Sequence, residues 1–75
     1  MKGEKTLEEL KRQQGKIKAL VNTLKAGVNA RSAAMTRGKI MDKWNKMGNI
    51  FHKLVGGPNG KNAAQIMNNT QRMLR

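Results

Sequence analysis

Lys39, Lys46 and Lys53 stand seven residues apart with Lys43 beside them, and Lys11, Lys18 and Lys25 repeat the same interval earlier in the chain. On a helix a seven-residue step is two turns, about 10.5 Å along the axis. Such a ladder sets one ammonium group per two turns on a single face. The chemistry open to it is a series of charge-assisted contacts to phosphates or carboxylates.

Solvated helix faces ordinarily interleave Glu with Lys, because opposite charges at i,i+4 stabilise a helix and like charges weaken it. This chain does not. No acid lies between Lys11 and Lys39, and beyond Lys11 the only carboxylate side chain is Asp42, the other three being Glu4, Glu8 and Glu9. A bound polyanion relieves the repulsion that such a pattern retains. Lys11, Lys18, Lys25, Arg31, Arg37, Lys39, Lys43, Lys46 and Lys53 are therefore the candidate nucleic-acid contacts. The whole chain agrees: 16 Lys and Arg against four acids give +12 over 75 residues, a field that gathers polyanions.

Two other partner classes share this chemistry. Residues 38–55 put Lys on one side and Trp44, Met47, Phe51 and Leu54 on the other, the composition of an interfacial membrane helix. The same helix also suits a small basic inhibitor or adaptor that docks on an acidic protein surface. The low mean hydropathy of −0.72 weighs against the membrane.

Catalytic and metal chemistry is not expected. The chain has one His, His52, no Cys and no Tyr, so a metal cluster, an acid/base pair or a nucleophile triad cannot be assembled from it. His52 reads as a solvated residue, with a phosphate contact as the alternative. The run Gly56-Gly57-Pro58-Asn59-Gly60-Lys61 lacks both the spacing and the following Ser or Thr of a phosphate loop. Lys61 is placed to meet a phosphate at a helix start. Asn45, Asn49, Asn68, Asn69 and Gln71 have the chemistry to read base edges, but no reading motif frames them. The expectation is sequence-independent binding to the backbone of duplex RNA or DNA, without cofactor or metal. A compact basic accessory protein of a virus or phage has this size and charge.

The elements that position these residues are all helical. Thr6 followed by Glu9 has the capping-box spacing and predicts a helix over 7–26 after a loose basic lead-in at 1–5. Leu7, Leu10, Gln14, Ile17, Val21, Leu24 and Val28 form its heptad-like seam, with polar Gln14 at one seam position. A second helix is predicted over 30–55, its stripe of Ile40, Trp44, Met47, Phe51 and Leu54 offset from the first. The offset and Gly27 place a turn between them, so an antiparallel hairpin is expected. Gly38 and Gly48 are possible kinks in it. Five breaker residues open a linker at 56–61, and Asn62 with Gln65 predicts a short third helix over 63–74.

The expected core is Leu10, Ile17, Val21, Leu24, Ile40, Trp44, Met47, Phe51 and Leu54. Trp44 and Phe51 read as packing residues rather than base-stacking platforms. Leu, Ile, Val and Phe number only 14 of 75, and a domain this small has a thin stability margin. Self-association through the two seams, as a homodimer or larger assembly, is the expected compensation. MKGEKTLEEL carries acids where a signal peptide needs an apolar run, so an intracellular location is expected.

Overall fold

In the computed structural model, backbone is described for residues 2–75 and side chains for residues 5–75. The chain forms a small all-α bundle of three helices, α1 (Lys2–Lys25), α2 (Ala30–Leu54) and α3 (Gly60–Met73), with no strand among the described residues. Its principal extents are 43 × 17 × 15 Å, so every residue lies close to a surface.

Glycine supplies both turns. After α1, Gly27 takes φ +89° and donates to the Leu24 carbonyl at 3.2 Å, the left-handed stop that an L side chain resists. Asn29 then caps α2, its Oδ1 accepting from the Ser32 N–H at 2.8 Å. After α2, Gly56 takes φ +82° and Gly57 donates to the Leu54 carbonyl at 3.1 Å. A β-carbon on Gly60 would lie 3.2 Å from that same carbonyl oxygen, so the second turn also needs a small residue where α3 begins.

Two helix starts differ from expectation. α1 begins at Lys2, within the segment predicted as a loose lead-in, so Thr6 and Glu9 lie inside the helix. The Glu9 carboxylate instead accepts from Arg12 Nη1 at 2.8 Å and from Gln13 Nε2 at 2.7 Å. α3 begins at Gly60 rather than 63, with Asn59 at its cap position making no side-chain cap bond and Asn62 inside the first turn. The breaker run is thus shorter than predicted. A glycine is easily accommodated in a first turn, where the backbone N–H has no intrahelical partner to lose. Gly38 and Gly48 do not break α2, which is assigned as one continuous helix.

The core is Leu10 and Ile17 from α1, Ile40, Met47 and Leu54 from α2, and Ala63 and Ile66 from α3. Val21, Leu24, Trp44 and Phe51 are only half-buried against it, so the fully covered centre of α2 is Met47 rather than the two aromatics. Met41 and Val55, apolar residues next to the α2 stripe in sequence, are 57% and 55% exposed. Met41 lies about 120° around the helix from Met47, too far to reach the seam.

The polar seam position also moves. Gln13, 3% exposed, is the glutamine inside the core, and its Oε1 has no hydrogen-bond donor among the described residues. Gln14 turns toward α3. Its Nε2 donates to the Ile66 carbonyl at 3.3 Å and to Thr70 Oγ1 at 3.1 Å, while Thr70 itself donates to Ile66 at 2.7 Å. Gln14 thus ties α1 to the last turns of the shortest helix. Gln14→Ala is expected to cost about 1 kcal/mol in urea unfolding, the net value of a part-buried hydrogen-bonding group. An unchanged midpoint would show that the tie does not hold α3.

Candidate nucleic-acid interface

The lysine positions follow from the seams. On α1 the ladder residues Lys11, Lys18 and Lys25 each come one position after Leu10, Ile17 and Leu24; on α2, Lys39, Lys46 and Lys53 each come one position before Ile40, Met47 and Leu54. One residue is about 100° around a helix, so both ladders flank a buried stripe, on opposite hands. All six side chains are exposed.

Between α1 and α2 runs an open groove of about 400 Å³, lined by Lys39, Asp42 and Lys43 on one wall and Lys16, Ala19 and Leu20 on the other. No residue of α3 lines it. Lys46 and Lys53 continue the Lys39 track along α2, each seven residues on. Lys43 is half-buried, which fits a long stem lying on apolar surface while its ammonium reaches water. Asp42 is the acid in this groove.

The α1 ladder lies elsewhere. Lys11 shares a cleft with Leu7 and with Asn62, Gln65, Ile66 and Asn69, the last four from α3. Lys25 borders a groove of about 510 Å³ with an apolar floor that includes Val21, Leu24 and Met73, rimmed also by Arg37 and Arg75. The nine predicted contacts therefore divide. Lys39 and Lys43 line a groove without α3 residues, whereas Lys11, Lys25 and Arg37 line grooves shared with α3; Lys18, Lys46 and Lys53 are exposed and line none of the three. Arg31 is exposed in the first turn of α2 and lines neither groove.

Lys16 was not among the predicted contacts, yet it faces Lys39 and Lys43 across the groove. It stands outside the seven-residue interval, and one position before Ile17, the same offset that the α2 ladder has from its seam. That offset is the signal that could have found it.

Several other expectations concern the surroundings. His52 is exposed, its ring centroid 6.4 Å from that of Phe51. Lys61 is exposed in the first turn of α3. No group of three or more His, Cys, Asp or Glu among the described residues is placed to hold a metal ion. No described helix is long and apolar enough to cross a membrane. Of the seams expected to join two chains, Leu10, Ile17 and Met47 are wholly buried within one, while Val21, Leu24, Trp44 and Phe51 are half-buried. Met35, Met41, Val55 and Leu74 are the most exposed large apolar side chains among the described residues.

Comparison of the chain with family models, with curated proteins and with solved structures gave no match, so the functional reading rests on this geometry.

Proposed function

We propose that this protein binds the phosphate backbone of duplex nucleic acid without regard to sequence, through Lys16, Lys39, Lys43, Lys46 and Lys53. In this reading α1 and α2 run antiparallel. Residues 16–20 then lie level with 39–43, and 21–25 with 37–41, which the membership of the two groove linings supports. The observation that carries the proposal is the groove in which a lysine of α1 meets two of the α2 ladder. It raises the cation density along a track that, from Lys39 to Lys53, is about 21 Å long. Duplex DNA offers phosphates every 3.4 Å along each strand, so a track of that length spans about six steps.

The membrane reading is supported less well. The apolar side of α2 would have to enter the lipid, but Ile40, Met47 and Leu54 already form the core with α1 and α3. Exposing them means opening a bundle whose stability comes from that contact. The acidic-protein reading requires selectivity for one surface, whereas phosphate contacts carry no sequence information.

Five neutralised phosphates correspond to a log-log salt slope of about −4.5 on duplex DNA, and affinities for two unrelated duplexes of equal length should agree within about threefold. A flat salt dependence, or strong preference for one sequence, overturns the proposal. Asp42 gives a test of the groove itself. Asp42→Asn removes the acid between Lys39 and Lys43 and is expected to raise duplex affinity about threefold, the size of a single exposed charge effect. A decrease would place the nucleic acid elsewhere.

A further inference from the structure

We infer that one chain bridges two duplexes, the α2 ladder holding one and the α1 ladder the other. The inference rests on the phosphate-binding reading above and extends it from one face to two. Its basis is the division of the lysines. The groove of Lys39 and Lys43 contains no residue of α3, whereas Lys11 and Lys25 share theirs with α3 residues. With α1 and α2 antiparallel, positions one after the α1 seam and one before the α2 seam point to opposite sides of the pair. Lys11, Lys18 and Lys25 therefore face away from Lys39, Lys46 and Lys53.

A single straight duplex cannot reach both sets. The bundle is 15 to 17 Å across its short directions, and a duplex of about 20 base pairs is far below the persistence length of about 150, too stiff to wrap so small a body. When one face is occupied the other remains cationic. The thickness of the bundle also exceeds the screening length of about 8 Å at physiological salt, so two duplexes held on opposite faces repel each other little. The α1 side has the composition for a second contact: Lys25 stands with Arg37 and Arg75 around one groove, and no Asp or Glu side chain lines it. The second occupant is a duplex rather than a lipid or a peptide because the α1 ladder repeats the seven-residue interval of the first. Bridging in this form needs no dimer.

The test mixes the full chain with two populations of duplexes of about 20 base pairs, one carrying a donor dye and the other an acceptor. Energy transfer reads bridging, and a separate titration reads binding to one duplex. Lys11→Gln/Lys18→Gln/Lys25→Gln is expected to keep the single-duplex affinity within about threefold and to lose the transfer. The charge-matched variant Lys5→Gln/Lys61→Gln/Arg72→Gln removes three exposed cations that belong to neither ladder and is expected to retain it. Single-duplex binding with no transfer by the unaltered chain overturns bridging alone. Absence of any binding overturns the phosphate-binding reading and bridging with it. Equal loss of transfer in both variants would mean that total charge, not its placement, brings the duplexes together. Transfer that survives Lys11→Gln/Lys18→Gln/Lys25→Gln would assign bridging to pairs of chains, and also overturns the inference.

Discussion

Met47→Ala is expected to remove a large part of the folding free energy. Met47 is wholly buried near the middle of α2, where side chains from all three helices meet. Truncating a buried Met to Ala costs about 2–5 kcal/mol, the lost transfer energy plus the cavity that a thin bundle only partly closes. A domain of this length has about 4–11 kcal/mol in total, so one side chain accounts for a substantial fraction. At about 3 kcal/mol the melting temperature followed by circular dichroism should fall by about 12–24 °C. Met41, on the same helix but 57% exposed, is the natural comparison. Met41→Ala should change stability by no more than about 0.5 kcal/mol. Similar shifts for the two substitutions would mean that the three helices do not share a core centred on Met47.

The helices and most of the core were readable because their signals are local. Leu10, Ile17, Ile40, Met47 and Leu54 recur at helical spacing, and the left-handed glycines Gly27 and Gly56 mark the ends of α1 and α2. Errors arose where two local arrangements compete or where a distant helix decides. Thr6 and Glu9 have the spacing of a cap, but Glu9 is equally able to bind Arg12 and Gln13 within a continuing helix, and that arrangement prevails. Gln14 and Gln13 are neighbours in sequence, and only the position of α3 makes one a tie to Thr70 and the other a core residue. Trp44 and Phe51 have the right spacing for the core but sit on its flank, beside the narrower Met47.

The placement of the lysines is the most consequential case. A shared seven-residue interval does not decide whether the two ladders share one face. The sequence also held the opposite offsets of the two ladders from their seams, Lys18 after Ile17 and Lys46 before Met47. Turning those offsets into sides of a bundle requires the relative direction of α1 and α2 and the location of α3, neither of which is local. Lys16 is recovered by the same reasoning: it lies one position before Ile17, and the groove places it with Lys39 and Lys43.

Neutralising the α2 ladder is expected to have the largest effect on binding. Lys39→Gln/Lys43→Gln/Lys46→Gln/Lys53→Gln removes four phosphate contacts while keeping long polar side chains on a surface that contributes little to the core. With only Lys16 left on that face, the three lysines of the α1 ladder become the larger set available to a duplex, with a slope of about −2.7 in place of about −4.5. Near 0.1 M salt that difference corresponds to about two orders of magnitude in affinity. Lys11→Gln/Lys18→Gln/Lys25→Gln should leave the slope close to that of the unaltered chain, because the five proposed contacts, Lys16 and the four lysines of α2, remain. A membrane-active peptide or an adaptor for an acidic protein has no reason to show this asymmetry on nucleic acid.

The most direct measurement is therefore the duplex binding constant as a function of salt, from about 50 to 200 mM, for the unaltered chain and these two variants in parallel. The expected result is a steep slope that flattens only when the α2 ladder is neutralised. Slopes that are flat for all three proteins, or that change equally in both variants, would contradict a phosphate-binding face built from Lys16 and the lysines of α2.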